Sequence, residues 1–274
     1  MNGQRGAIAP SRVTPSRRPL MRLFALALAA GVAVGIYMSI TFAQQRQQAN
    51  HLFTASFTSS GLITNEYAFH NPLLQDAVRS FDWEATSGSL FARDGAGWTG
   101  VPDGRAPDAG SKQSTDSAVF RLRTRMSDFG DVSVTFQLRL DGYVTTPRTP
   151  RQPFDGVHVW LRYQSPNELY FVSVARWDGT IMIGKKLPAD RGGSYHDLIR
   201  PRKHAFPLKR WQDVQTTISN EHGRVVIRLL LDGKLLARAT DDDVGGHSIT
   251  QTGRVGIRGD NTEFEFRGFQ VEAA

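Results

Sequence analysis

Apolar and polar residues alternate along much of the chain, most clearly in the stretch DVSVTFQLRL, residues 131–140. Successive side chains of a strand point to opposite faces of a sheet, so this stretch has one apolar and one polar face. The polar face is either solvent-exposed surface or the floor of a binding site. The apolar face, which must be covered, consists of Val132, Val134, Phe136, Leu138 and Leu140, and the polar face of Ser133, Thr135, Gln137 and Arg139.

The same two-residue period recurs along residues 52–274, between clear turn signals. The pairs Asp178-Gly179 and Asp232-Gly233 are hairpin signals, and a glycine near the C-terminus, Gly268, shifts the alternation as a β-bulge does. Thr145–Pro153, with three prolines, and the long stretch Ala189–Pro207 are predicted to be loops. Roughly ten to twelve short strands and no helix after the N-terminal region predict an all-β fold, a two-sheet antiparallel sandwich.

The N-terminal region has a different character. Residues 1–22 contain five arginines and no acid, and their segment SRRPLMR resembles the bacterial twin-arginine export signal. Residues 23–43 carry no charge over 21 positions, which is enough for one transmembrane or signal helix. We therefore expect export, with the chain either anchored by a single pass or secreted after cleavage near Ala43. Residues 44–51 are then a linker to an external domain at residues 52–274.

Amino-acid composition and the distribution of charge exclude several kinds of functional site. The chain has no cysteine, which excludes disulfides, thiolate metal sites and a cysteine nucleophile. The formal net charge is +7, but the five arginines of residues 1–22 leave only +2 for the remainder. A nucleic-acid footprint belongs to the folded domain, so this imbalance does not indicate one. No nucleic-acid partner is expected.

The C-terminal half carries a recognisable series of motifs. WQDVQTTISNEHGRVVIRLLLDGKLLARATD, followed by GRVGIRGDNTEFEFRGFQV, resembles the concanavalin A-like lectin/glucanase superfamily, and in particular the laminin-G-like jelly rolls of exported bacterial proteins. LITNEYAFHNP, SGSLF and YFVSVARWDGTIMIGKK are similar to the same group, so the resemblance covers residues 52–272. It implies a jelly-roll sandwich in which the outward face of a concave sheet binds glycans. Fold alone does not assign an activity.

The stretch DGVHVWLRY is the most informative candidate for that face. Opposite its alternating apolar residues stand His158, Trp160 and Arg162, spaced by about 6.6 Å along a strand. A tryptophan is unusual on a sheet face that is merely exposed to solvent. An aromatic ring in that position is suited to stacking against a sugar ring. A neighbouring arginine is suited to gripping a carboxylate or hydroxyls. The alternative is that Trp160 belongs to the core.

Further candidate ligand-binding residues follow along the chain. Tyr170 and Arg176 are predicted to share a face of the next strand, and Lys185 and Lys186 follow in its hairpin. Together with Trp160 they suggest a basic and aromatic groove suited to acidic glycans. The alternative is that the lysines form a solvated sheet edge, a common protection against edge pairing.

Catalytic candidates are weaker. The glucanase strand Glu-x-Asp-x-x-Glu is absent, and Glu263 and Glu265, which share a face of the last strand, make a poor hydrolytic pair. A polysaccharide lyase remains the enzymatic alternative, because some jelly rolls cleave uronates with a tyrosine or histidine base and a cation. Tyr195 and His196 are the candidate bases. Arg162 and Lys185 are the candidate cations of such a lyase.

The only cofactor suggested is a structural calcium ion. The seven histidines lack zinc-ligand spacing. The resemblance implies that a calcium ion can lie between early and late strands, with Glu66 and Asp260 or Asn261 as candidate ligands, although calcium takes six to eight oxygens. Asp241 to Asp243 are interpreted as a turn.

Three functions remain after these steps. The first is an exported carbohydrate-binding jelly roll whose partner is a polysaccharide or glycan and which contacts the membrane through its N-terminal helix. The second is a lyase acting on acidic glycans. The third is a protein-interaction module, which predicts a mainly apolar patch in place of a polar groove.

Overall fold

The computed structural model describes residues 51–102, 119–145, 149–190 and 192–274, which form seventeen strands and one short helix. The predicted basic segment, the apolar run and nearly all of the linker lie outside these residues. Within them, no helix is long and apolar enough to cross a membrane. The elements are β1 (His51–Thr54), β2 (Gly61–Asn65), α1 (Tyr67–His70), β3 (Trp83–Ser87), β4 (Ser89–Arg93), β5 (Ala96–Trp98), β6 (Val119–Thr124), β7 (Val132–Tyr143), β8 (Gly156–Ser165), β9 (Glu168–Arg176), β10 (Thr180–Ala189), β11 (Gly192–Asp197), β12 (Arg202–Lys203), β13 (Trp211–Glu221), β14 (Arg224–Leu231), β15 (Lys234–Asp241), β16 (Arg254–Asp260) and β17 (Thr262–Ala273).

Two antiparallel sheets account for all of these strands, which confirms the predicted fold class. The first sheet has the order β15-β14-β13-β7-β17-β5-β4-β2, with β1 also paired to β17. The second sheet has the order β11-β10-β9-β8-β16-β6-β3, with β12 paired to β10. The stretch 189–207, predicted to be a loop, instead supplies β11 and β12. Gly192–Asp197 and Arg202–Lys203 of this stretch pair with β10.

A single large apolar core lies between the two sheets. The apolar face of β7 is in it, as predicted, since Val134 and Leu138 are fully buried against it. From the second sheet, Val159 of β8 and Ile257 of β16 enter the same core. Each sheet is left with an outward face, and ligands reach the domain at these two faces or at its ends.

The polar face of β7 lies on the outward side of the first sheet, where neighbouring strands satisfy it. Gln137 donates to Asp213 (2.8 Å) and accepts from Arg267 (2.7 Å). Arg139 donates to Glu265 at 2.9 Å. Arg93 pairs with the same carboxylate. This face is a hydrogen-bonded surface rather than an open row of unpaired polar groups.

Candidate functional site

A small aromatic cluster lies on the outward face of the second sheet, separate from the core. Its buried members are Trp160, Tyr163 and Leu169, and Phe171 packs against them. The rings of Trp160 and Tyr163 stack with centroids 5.2 Å apart. Trp160 is therefore on the predicted face and is not a core residue. It is only 6% exposed, however, so it forms the floor of this face and does not offer a free ring for a sugar.

Arg162 does not share the face of Trp160, contrary to the simple alternation. The pairing of β8 with β9 shifts register after Leu161, and Arg162 has a positive φ of 45°. This bulge turns the guanidinium inward, where it donates to the carbonyl of Ile249 (2.8 Å) and pairs with Asp131 (2.7 Å). It also brings Tyr163, which strict alternation places with the core residues Val159 and Leu161, to the side of Trp160. Arg162 is thus a buried structural group.

Tyr170 and Lys185 are also placed in the interior and not in a groove. The Lys185 ammonium lies 2.8 Å from Asp241 Oδ2 and donates to the carbonyls of Gly246 and His247. The Tyr170 hydroxyl donates to the same Asp241 oxygen at 2.6 Å. Both side chains are completely buried. They lie in the core because their alternation partners on β9 and β10 are core residues.

His158 is on the outward face and is enclosed by polar neighbours. Its Nδ1 lies 2.8 Å from Ser173 Oγ, and its Nε2 lies 3.3 Å from Asp260 Oδ2. Burial lowers the pKa of His158 despite the opposing effect of Asp260. Burial alone raises the pKa of Asp260, but the charge of Arg258 and the hydrogen bond of His158 outweigh it and lower that pKa to about 2. The imidazole thus lies between a hydroxyl and a carboxylate.

Arg176 ends β9 and is held by its own turn. Its guanidinium pairs with Asp178 at 2.7 Å, and Asp178 also accepts from the amide and hydroxyl of Thr180. Arg176 does not share the sheet face of Tyr170, because the pairing of β8 with β9 shifts register between Val157 and His158. Its role in the turn explains its low exposure, 13% of the side chain.

Tyr195 and His196 lie on opposite faces of β11. Tyr195 is on the outward face, 56% exposed, with its ring 5.7 Å from that of Phe171. The backbone of Gly245 packs closely against the ring of His196, since a Cβ on that glycine would lie 2.0 Å from Nδ1. With Arg162 and Lys185 buried elsewhere, the structure does not bring the predicted lyase bases and cations together.

Several cations on the outward face were missed by the sequence analysis. Arg121 of β6 and Arg258 of β16 are directly opposed in the strand register. Arg123 donates to Glu84 (2.7 Å) and to the Tyr163 hydroxyl (3.0 Å). The signal was available, because these arginines alternate with core residues in VFRLR and GRVGIRGD. The outward face is therefore aromatic at its centre and basic around it.

The predicted calcium ligands do not form a cation site. Both oxygens of Asp260 contact the guanidinium of Arg258 at 2.8 Å. Glu66 accepts from the amide of Gly88, and Asn261 donates to Asp155. Among the described residues, no three His, Asp or Glu side chains are arranged to hold a metal ion. A carboxylate already engaged by a guanidinium does not fit the oxygen cage that calcium requires.

The acids of the last strand are also engaged. Glu263 accepts from the indole of Trp98 at 2.9 Å, and Glu265 binds the guanidinium groups of Arg93 and Arg139. These residues lie on the outward face of the first sheet. The carboxylates act there as cross-strand partners of arginine and tryptophan.

The described domain is a two-sheet antiparallel β-sandwich with a separate aromatic and basic face. No protein-family model and no curated protein matches the chain. Similar solved structures include a legume lectin-like domain from Entamoeba histolytica, at 10% identity over 70% of this chain and 90% of that chain, with a TM-score of 0.45. An endo-1,3-beta-glucanase from Streptomyces sioyaensis is 11% identical over 81% of this chain and 95% of that chain, with a TM-score of 0.46. A protein of unknown function with a galectin-like fold from Bacillus subtilis is 11% identical over 78% of this chain and 97% of that chain, with a TM-score of 0.47.

The two antiparallel sheets of the described residues match the sandwich that the sequence predicted. The identities and TM-scores of the similar structures are low, so no conclusion about ligand or activity rests on them.

Proposed function

We propose that the chain is an exported, membrane-anchored protein whose jelly-roll domain binds polysaccharide on the outward face of the second sheet. The observation that carries this proposal is the aromatic cluster outside the core. A solvent-facing sheet face is ordinarily polar, yet Trp160, Tyr163 and Phe171 line this one. Aromatic floors with a few placed polar groups are typical of ligand sites.

An accessible ring lies above this floor. Tyr195 is more than half exposed and contacts Phe171 beneath it. A tyrosine in this position presents an apolar ring surface to a sugar and a hydroxyl to its polar groups. We therefore assign the contact with a sugar ring to Tyr195, with Trp160 as its support.

The outward face of the first sheet is a less suitable site. Its polar groups already bond to each other across strands, as Gln137 does with Asp213 and Ser133 with Gln215. A sugar binding there exchanges existing hydrogen bonds for new ones and gains little.

Export and anchoring are supported by the sequence of the N-terminal region. Five arginines precede an uncharged run of 21 residues, which favours a cytoplasmic N-terminus and an external domain. Protease treatment of intact cells tests this part, since an external domain is digested while a cytoplasmic one is protected.

Retention of the full-length protein on polysaccharide gels tests the binding. We expect retardation by at least one polysaccharide, its loss in Tyr195→Ala, and no change in Tyr67→Ala. Tyr67 is a suitable control because it is 42% exposed and lies on α1, beside the opposite edge of the sheet. Equal retention of the two variants contradicts the assigned site. Release of unsaturated uronate products indicates the lyase instead.

A further inference from the structure

An exposed pair of apolar side chains lies just past the ends of β3 and β6. Phe81 is 93% exposed, although it stands only two residues before the fully buried Trp83. The β3–β6 ladder pairs Trp83 with Thr124, so the same register, continued by two residues, brings Phe81 opposite Met126. Met126 is 43% exposed. We call these two side chains the Phe81–Met126 surface.

The backbone that carries Phe81 is held in a fixed position. The amide of Arg125 donates to the carbonyl of Asp82, and the Arg125 Nε donates to the carbonyl of Ser80, both at 2.8 Å. The Ser80 hydroxyl accepts from the amides of Asp82 and Trp83 at 3.2 Å. The carbonyls on either side of Phe81 are therefore both bonded. Its ring is presented to solvent by a defined turn and contributes nothing to the core, so folding does not account for it.

The Phe81–Met126 surface lies beside the strand with which the described domain begins. β1 starts at His51, and the ring of Phe53 in this strand contacts the ring of Trp83, with centroids 5.3 Å apart. Since Phe53 is two residues from His51 and Trp83 is two residues from Phe81, the start of β1 and the exposed ring are neighbours.

The membrane anchor proposed above ends a short distance before β1 in the chain. Residues 44–50 separate β1 from the uncharged run at residues 23–43. These seven residues span at most about 25 Å even when they are fully extended. An anchored chain therefore keeps the start of β1, and the Phe81–Met126 surface beside it, within reach of the lipid.

We infer that the Phe81–Met126 surface docks onto the membrane, with the phenylalanine ring and the methionine side chain in the interface between headgroups and acyl chains. The inference rests on the anchoring part of the proposed function and adds a second contact with the bilayer. Apolar side chains gain free energy when they leave water for this interface. The short tether gives the surface a high effective concentration at the lipid, so a small apolar area is sufficient. Arg79, an exposed residue of the same segment, is suited to pairing with a lipid phosphate.

The test uses the full-length protein in vesicles made of equal amounts of phosphatidylcholine and phosphatidylglycerol. Because the chain has no cysteine, a single introduced cysteine carries the only fluorescent label. Met126→Cys places the label on the surface, and Leu235→Cys, at a similarly exposed apolar position of β15 at the edge of the first sheet, is the matched control. We expect lipids with brominated acyl chains to quench the label at position 126 several times more strongly than the label at position 235. Adding Phe81→Ser to Met126→Cys is expected to remove most of this difference.

The other outcomes overturn the inference in distinguishable ways. Equal quenching at the two positions of vesicle-bound protein overturns the docking and leaves the anchor and polysaccharide binding standing. Protein that does not float with the vesicles has no anchor, which overturns the docking and the anchoring part of the proposed function together. A label at position 126 that is shielded from aqueous iodide but not quenched by the lipid indicates a protein on this surface, a second copy included, and overturns membrane docking. Unchanged quenching after Phe81→Ser overturns the role of Phe81.

Discussion

Lys185 and Asp241 form an ion pair in which neither side chain has exposed surface, with Nζ 2.8 Å from Oδ2. The pair ties β10 to the end of β15, and two carbonyls of the following loop complete the coordination of the ammonium. A buried ion pair with all of its hydrogen bonds satisfied holds a specific geometry, whereas loss of one partner leaves an uncompensated charge in the interior.

We therefore predict that Asp241→Asn lowers the free energy of unfolding by about 3–5 kcal/mol. The adjacent Asp242 provides a matched control. Its pair with Arg224 is more than half exposed on both sides, and Asp242→Asn is expected to cost less than about 1 kcal/mol. Urea denaturation measures both. Similar losses for the two variants contradict the structural role of Asp241, and the double variant Lys185→Met/Asp241→Leu is expected to recover much of the stability.

Arg162 offers a direct comparison between the sequence-based site and the structure. Its side chain is fully buried and bonds to Asp131, Asn220 and Ile249. We predict that Arg162→Met costs about 1–3 kcal/mol of unfolding free energy, because the buried carbonyl of Ile249 loses its donor while the exposed carboxylate of Asp131 stays solvated. The folded fraction should bind polysaccharide as wild type does. Arg238→Met, at an exposed arginine of β15, is the control for the substitution. A folded Arg162→Met protein that has lost binding restores Arg162 to the ligand site.

The alternation of apolar and polar residues predicted the two faces of β7 correctly, because residues 132–139 pair with β13 without a bulge. It failed at β8, where a non-glycine residue, Arg162, adopts a positive φ. This conformation is held by partners far away in sequence, such as Asn220 and Ile249, which no local pattern reveals. The bulge then reassigned Tyr163 to the outward face.

The errors at Tyr170 and Lys185 had a different cause. Tyr170 alternates with Val172 and Val174, and Lys185 with Ile183 and Leu187, so the period of two already indicated the core. Charge and polarity suggested the surface instead. That suggestion was wrong because Asp241, distant in the sequence, neutralises the ammonium and accepts the phenol hydrogen bond.

The network of His158 and Asp260 predicts a dependence of stability on pH. The pKa of His158 is lowered in the folded state by burial, so the unfolded chain binds the proton more readily. Stability is then lost as pH falls below about 6.5, the usual pKa of histidine. The pKa of Asp260 is lowered to about 2 despite its burial, by Arg258 and His158. The contribution of Asp260 to stability is present above about pH 4 and is lost as the pH falls towards 2.

Thermal unfolding measured between pH 7.5 and 5 tests the histidine part. We expect His158→Asn to reduce the fall in unfolding temperature over this range relative to wild type. His222→Asn, at an exposed turn residue that also has a positive φ, should leave the profile unchanged. If the unfolding temperature of His158→Asn falls with pH as that of wild type does, titratable groups other than His158 cause the pH dependence.

Trp160 and Tyr195 have different roles in the proposed site, because Trp160 supports its floor and Tyr195 contacts the sugar. Trp160 is 6% exposed and stacked on Tyr163, so its removal leaves a cavity beneath Phe171. We predict that Trp160→Ala lowers the unfolding free energy by about 3–5 kcal/mol, whereas Tyr195→Ala, at a half-exposed position, changes it by less than about 1 kcal/mol. The effects on polysaccharide binding should be reversed in rank, with Tyr195→Ala the more severe. Urea denaturation and gel retardation on the same preparations measure both quantities. A Trp160→Ala protein of normal stability that no longer binds shows instead that the indole itself contacts the sugar.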